Sequence, residues 1–523
     1  MVRRLFMCVS VVGLLLFLGA CGRGDGNESN ENGALYESGF APGGFRYVLE
    51  SGEDAEFEIT MLVPRMFETV ISGARRRLER ELPENVSVSI TPTFFEGWEG
   101  RDVRDARHAR LQTMLMAGQS YDLIIWDGFN YRAWAENGFL TDIYTLIDSH
   151  PTQTRDDFFV NVLEAFEHRG GLYLFPLSFG FQYVGVNASL PESILSRFEN
   201  KESVTAMEIV RTFGDLQRDY FDDFNEFSIS TSAMGHTIAP TPFLTHITSQ
   251  FVDFDNRVSH LNSDAYLEHI QAFVSALDFR AFRTIYVLGA HDNNLVFRRG
   301  AHEIAHSNTA FLCLSTSLDP VAALFDTVED SSFFTNILPL ADEEGRLIID
   351  PLIETKASSL GSVAIPAAGN AEIAWEFTQM LLKEALSFDW PVVFAQFQEI
   401  PMSRQFFGVG TLTVPITKAD FRPHITRVLE FHFTNYTRRP GHGPYLEFMG
   451  IHDESITREE AMESAILKLW NLSHMPIAVF EHTLPDVFYH DDLIDNLFRR
   501  VIRPEAFVQE AHNRIGLWLM EQR

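Results

Sequence analysis

The sequence predicts an α/β fold spread over two domains, on three observations. Between residues 57 and 126, short stretches of alternating apolar residues interleave with amphipathic stretches of helical period. The chain has 523 residues, 46% of them hydrophobic, which is material for two sizeable cores rather than one. Of its three cysteines only Cys313 lies beyond residue 21, so core burial and not a disulfide framework must hold the fold.

Residues 1–20 read as a lipoprotein signal peptide. Arg3 and Arg4 precede an apolar run over residues 5–18, and Leu18-Gly19-Ala20-Cys21 offers a peptidase small residues just before the cysteine that takes the lipid. The run is too short for a permanent membrane span. Arg3-Arg4 echoes a twin-arginine export signal, but the short charged start and greasy run fit general secretion. Residues 21–56 read as a flexible tether, since 22–44 is rich in Gly, Asn, Ser and Glu. The pattern then gives a strand at 57–63, a helix at 67–82, a strand at 86–94, a helix at 104–117 and a strand at 121–126. Such alternation implies parallel β-α-β units with ligand chemistry at the strand ends. Beyond it the chain keeps a mixed texture, with no internal repeat and no later segment apolar enough to cross a membrane.

The formal net charge of −31, from 72 acidic and 41 basic residues, argues against a nucleic-acid partner and disfavours anionic ligands. The one basic cluster, Arg75-Arg76-Arg77 with Arg80, alternates with Ile71, Ala74, Leu78 and Leu82 at helical spacing and reads as a solvated helix face. Cys313, inside an apolar run over 310–314, reads as a small buried hydrophobe.

Several blocks carry a resemblance in their order and spacing. They are Gly118-Gln119-Ser120-Tyr121-Asp122 leading into Leu123-Ile124-Ile125-Trp126, then Ala135-Glu136-Asn137-Gly138-Phe139-Leu140, and Gly170-Gly171-Leu172-Tyr173 with Val186-Asn187. Further on come Phe297-Arg298-Arg299-Gly300, Asn336-Ile337-Leu338-Pro339-Leu340, Ala374-Trp375-Glu376-Phe377, Ile400-Pro401 and the closing Leu517-Trp518-Leu519-Met520-Glu521. Together they resemble the family 1 extracellular solute-binding proteins of bacterial carbohydrate ABC importers, over roughly residues 57 to 521. Tyr121 stands where that family usually has proline, and Val186 and Ala188 depart from its Tyr-Asn-Lys-type strand end.

The resemblance implies a two-lobe periplasmic-binding-protein type II fold with a hinge between the lobes. It places one lobe at 57–178 and 338–386 and the other at 184–335 and 388–523. It also implies a monomer that captures a carbohydrate, an oligosaccharide, by hinge closure. The chain would be lipid-anchored through Cys21 at the extracytoplasmic face of the cell membrane and would serve ABC importer permease subunits. The resemblance calls for no catalytic residue, no metal and no cofactor.

Sugar rings need aromatic planes for their apolar faces and paired polar groups for their hydroxyls. Near strand ends of the first lobe lie Trp98, Trp126, Asp127, Asn130 and Tyr131; at the first crossover lie Ser178, Phe179, Phe181, Gln182 and Tyr183. From the second lobe, Ser307, Asn308 and Phe311 take the place where the family often has a Gly-Ser-Trp loop. Trp375, by its helical periodicity, reads as core.

Two other chemistries compete. His302-Glu303-Ile304-Ala305-His306 fits the H-E-x-x-H pattern, in which two histidines one helical turn apart bind zinc and the glutamate activates water. Gly300 before it and Ser307-Asn308-Thr309 after it leave little helix to align the pair, and on a strand His302 and His306 would lie too far apart to share an ion. A lipid-anchored glycoside hydrolase would need two carboxyls across a cleft, and 72 acidic residues make candidate pairs uninformative. A sugar-sensing or peptide-binding relative is a further alternative.

Overall fold

A computed structural model of the chain describes residues 54–96, 101–125, 128–220, 228–230, 241–276, 309–315, 334–350, 361–387, 414–436, 457–479 and 493–521. The signal peptide, Cys21, nearly all of the tether, Trp98, Trp126, Asp127, Asn308 and the His302–His306 motif lie outside the described residues.

The first lobe is built on the predicted alternation. Strand β1 (Ala55–Pro64) pairs in parallel with β2 (Val86–Phe95) from Ala55↔Val86 to Pro64↔Phe95, and helix α1 (Glu68–Glu81) makes the crossover. Phe57, Ile59, Met61 and Val63 fall on one buried face of β1, as the two-residue period requires, and α1 buries Val70, Ile71, Ala74 and Leu78. Helix α2 (Arg101–Met116) leads to β3 (Leu123–Ile125), parallel to β1 on its other side. After β3 come two short helices, α3 (Tyr131–Glu136) and α4 (Ile143–Ser149), then α5 (Val160–Ala165). A tight hairpin of β4 (Glu167–His168) and β5 (Gly171–Leu172) precedes β6 (Phe175–Pro176). The sheet is completed by β15 (Ser362–Ala364), antiparallel to both β3 and β6, in the order β2-β1-β3-β15-β6.

The second sheet is organised around β7 (Ser178–Asn187), with its edges at β17 (Ile477–Val479) and β9 (Ser228–Ser230). Strands β12 (Thr309–Ser315) and β13 (Phe334–Ala341) flank β7 antiparallel, and β14 (Leu347–Asp350) also reaches it through Ile349↔Phe181. Two short strands, β8 (Val204–Thr205) and β16 (Val414–Pro415), pair with β13 and β7. The core beneath joins Val184, Val186 and Phe311 to Ile209, Val210 and Phe213 of helix α6 (Ala206–Asp219) and to Ile270 and Phe273 of α8 (Asp264–Ala276), with α7 (Thr241–Ser249) between those helices in sequence. Phe507, Ala511 and Ile515 of the C-terminal helix also enter this core. A hairpin of β10 (Val252–Asp253) and β11 (Val258–Ser259) projects from this lobe.

Among the described residues the chain passes between the sheets at three places. It goes directly from β6 to β7 through Leu177, returns between Asp350 and Gly361, and leaves helix α9 (Ala371–Ser387) to reach β16. Helices α10 (Lys418–Tyr436), α11 (Arg458–Leu472) and α12 (Pro504–Glu521) follow. Helix α9 packs across α1 at Gly73, where any Cβ would fall 2.0 Å from the Glu384 carboxylate, and Arg77 closes the crossing on Glu384 at 3.1 Å.

The sequence expectation placed the return to the first lobe at residue 338. Residues 338–350 instead stay in the second sheet, and the first-lobe strand is β15. The cause is a tight turn: buried Asp342 accepts from the amides of Glu344 and Arg346, Gly345 adopts φ +78°, and the chain folds back onto β14. Trp375 is core, as its period predicts, packed edge-on against Phe175 at 4.9 Å.

Candidate functional site

The two lobes face each other at α3 of the first and the β10–β11 hairpin of the second. Gly128, at φ +96°, turns the chain after β3, and Phe129 then drops into the core to stack on Trp134 at 4.2 Å. That anchor fixes the helix start, where Asn130 caps α3 by accepting from the Ala133 amide at 3.1 Å. Tyr131 is buried beneath the helix. The Arg132 guanidinium lies 4.9 Å from the Tyr131 ring and 4.7 Å from the Phe254 ring, and so spans both lobes. Phe254 meets Trp518 of α12 edge-on at 6.3 Å. Asn130, Arg132, Glu136, Phe254, Arg257 and Trp518 line a recess at this seam. It combines aromatic rings with amide and guanidinium groups drawn from both lobes.

A charge cluster forms the floor of the seam. The Glu136 side chain is only 11% exposed, and it receives Arg257 from the hairpin, Arg169 at 3.2 Å and His168 Nε2 at 3.0 Å. His168 is buried, and its Nδ1 meets Asp255 at 2.7 Å. Burial holds the His168 imidazole below its ordinary range, opposed by the hydrogen bond to Asp255. Glu136 is paired with Arg257 and Arg169, which offsets the cost of its burial, while Asp255 is exposed to water and bonds the buried imidazole.

The crossover residues sit differently from the sequence expectation. Ser178, Phe179, Phe181, Gln182 and Tyr183 all lie on β7, the centre of the second sheet. Phe179 and Phe181 are no more than 1% exposed and pack edge-on at 5.7 Å, and Phe179 continues onto Phe159. Tyr183 is enclosed too, and burial pushes its phenol up. Phe311 is fully buried on Phe198 at 5.5 Å. These rings, with Tyr131, are core side chains here and offer no open face for a sugar. Gln182 alone on β7 is half-buried rather than buried, and Asn130 is half-buried at the seam. A strand covered on both faces reads as a nearly continuous apolar run, and 178–187 reads that way; that signal distinguishes it from a cleft lining.

No protein-family model matches the sequence, and no curated protein matches it. Solved structures do. The sugar-binding protein MalE of Xanthomonas citri superposes with a TM-score of 0.52 at 12% identity, over 89% of this chain and 98% of that one. A proposed oligosaccharide periplasmic-binding protein of Synechococcus sp. MITs9220 gives 0.53 at 13% identity, over 88% and 99%, and its zinc complex gives 0.51 at 13%, over 89% and 99%. The fold is that of the periplasmic-binding proteins. In a periplasmic-binding fold the seam between lobes is where residues of both meet, and here that seam carries Arg132, Glu136, His168, Phe254, Asp255, Arg257 and Trp518, none of which the sequence reading singled out as a ligand contact. The turn composition Asp253-Phe254-Asp255-Asn256-Arg257 was the available signal, since an aromatic and an arginine in a polar turn are poor core filler. Among the described residues no group of three or more His, Cys, Asp or Glu side chains could hold a metal ion, and no helix is long and apolar enough to cross a membrane.

Proposed function

We propose that this chain is an extracytoplasmic solute-binding lipoprotein of an ABC importer that captures a carbohydrate between its lobes. The observation that carries the reading is the joint between the lobes. Leu177 bonds through its own amide and carbonyl to Gly361 and Ile416, so the first crossing meets the described residues that follow the other two, while Asn130 and Arg132 face Phe254 and Trp518 across the seam. A ligand that touches both sides favours the joined form by its difference in affinity for the two arrangements, and a membrane permease reads that form. The names of the Xanthomonas and Synechococcus neighbours, a sugar-binding and an oligosaccharide-binding protein, point the same way. The lipid is carried on Cys21, the protein acts as a monomer, and no bond is made or broken.

A thermal-shift screen tests this on the mature chain made without lipid, against oligosaccharides, monosaccharides, peptides, and zinc with a chelator. A ligand present at 100 times its Kd adds about 2.7 kcal/mol to the folded state. A raised midpoint with one saccharide class, indifferent to chelator, is the expected result. A rise with peptides alone overturns the carbohydrate reading. A fall on chelation that zinc restores moves the function to His302, Glu303 and His306.

A further inference from the structure

We propose that Glu136, His168, Asp255 and Arg257 form an ionic latch that joins the two lobes at the seam without ligand, and so sets how far the cleft stands open at rest. The proposal deepens the binding-protein reading and rests on it for its purpose, though not for its test.

The argument begins with where the groups come from. Glu136 ends α3, and the chain after it is tied to the first sheet through Thr141 N–H to Ile365 O and Ala367 N–H to Phe139 O, each 2.8 Å. His168 and Arg169 belong to the β4–β5 hairpin, which runs straight into β6 of the same sheet. Asp255 and Arg257 sit at the tip of the β10–β11 hairpin, whose base residues Val252 and Leu261 are in the second-lobe core. Arg257 to Glu136 and His168 to Asp255 are therefore both bonds between lobes, and they share the first-lobe contact of His168 with Glu136.

The backbone carries a second observation. Among the described residues only four non-glycine positions have positive φ, and two of them are Arg169 at +51° and Arg257 at +56°. Both pair with Glu136, one from each lobe. Arginine gains nothing from a left-handed turn position, where Gly or Asn fits without cost. Arg500 is held at +56° as well, so the conformation is not peculiar to the seam; what is particular to the seam is that both of its left-handed arginines reach one carboxylate. The hairpin tip is otherwise rigidly made, with Asp253 accepting from the Asn256 amide at 2.9 Å and side-chain nitrogen at 2.8 Å.

Opening the seam would separate Arg257 from Glu136 and Asp255 from His168, so the latch holds by the pairing gained less the cost of keeping the Glu136 carboxylate mostly out of water, a modest difference that leaves it breakable. It touches neither Leu177 nor β7, so it biases closure without stiffening the joint.

Small-angle X-ray scattering of the ligand-free mature chain tests it, comparing wild type with Arg257→Asn and Asp255→Asn. Asparagine tolerates the left-handed conformation, and Asp255 lies exposed on a turn, so neither change threatens folding; the melting midpoint serves as control. At roughly 0.05 M salt both variants are expected to show a radius of gyration a few per cent above wild type, against roughly 23 Å for a compact chain of this size. Because Glu136 and Arg257 are mostly buried, wild type is expected to move only part of the way toward the variants at roughly 0.5 M salt, and the variants to stay put. Equal radii for wild type and both variants at low salt overturn the latch. Because no sugar is present, that outcome leaves the saccharide screen to stand or fall alone, and a failed screen leaves the latch standing.

Discussion

The amide of Leu177 donates to the carbonyl of Gly361 at 2.9 Å, and this bond ties the first passage between the sheets to the second. The Leu177 carbonyl accepts from Ile416 at 3.4 Å, which brings in the third. Gly361 holds φ +59°, a conformation that costs an L side chain about 1 kcal/mol or more. Gly361→Ala is therefore expected to lower stability by about 1 kcal/mol, read as a lower urea midpoint with an unchanged slope. An unchanged midpoint would mean that the joint does not depend on the left-handed residue.

Asp122 makes a comparable clamp inside the first lobe. Its Oδ2 accepts from both the amide and the hydroxyl of Thr60 at 2.7 Å, and its Oδ1 accepts from the Asn370 amide at 2.7 Å. Gly369 lets that turn approach, since a Cβ there would fall 2.9 Å from the Asp122 Cα. Asp122→Ala strips three donors of their acceptor at once, and the expected loss is about 2 kcal/mol in denaturant unfolding. A loss within experimental error would assign the clamp to geometry alone.

The first lobe was legible because its signals are local. Strands at 57–63 and 86–94 and the helix at 67–82 lie within a few residues of β1, β2 and α1, since a two-residue or helical period over ten or more residues leaves little room for error. Asn187 was legible as a strand end, and its side chain does close β7 by accepting from the Ser189 amide and hydroxyl at 2.9 and 2.7 Å. What failed was tertiary. Nothing in residues 336–340 says which sheet they join, and that depends on the Asp342 turn and on β7 as partner. Phe179, Phe181 and Phe311 match the chemistry of a sugar platform, but chemistry alone does not tell a ring in the core from a ring in a cleft. The seam was hidden because Glu136, His168 and Asp255 are distant in sequence and no single segment shows their pairing.

His246 gives the chain a pH dependence unrelated to the seam. The ring is buried on α7, and burial pushes it down to about 4, against the opposing influence of Asp342 and the Ala341 backbone. The folded state thus holds it neutral, while the unfolded chain takes up a proton below about pH 6.5. Its contribution is constant above about pH 6.5 and is lost as pH falls towards 4, on the order of 2 kcal/mol by pH 5. Urea unfolding at pH 7 and pH 5, in wild type and His246→Asn, checks it: the wild-type loss is expected to exceed the variant's by that amount. Parallel losses would assign the acid sensitivity to carboxylates.

Rings in the core and at the seam are expected to behave oppositely when removed. Phe311 is fully buried in the second-lobe core, so Phe311→Ala leaves a cavity and costs about 3–5 kcal/mol. Trp518 is half-buried at the recess, with Phe254 as its ring partner, and Trp518→Ala removes less apolar contact. Its expected stability cost is about 1 kcal/mol, from the area a half-buried ring hides. On the proposed function the same change weakens saccharide binding about tenfold or more, since a stacking face is lost on one side of the seam only. Isothermal titration with the saccharide class found in the thermal screen, beside unfolding of both variants, separates the two effects. Binding unaltered by Trp518→Ala would place the ligand elsewhere between the lobes and leave the recess to the latch alone.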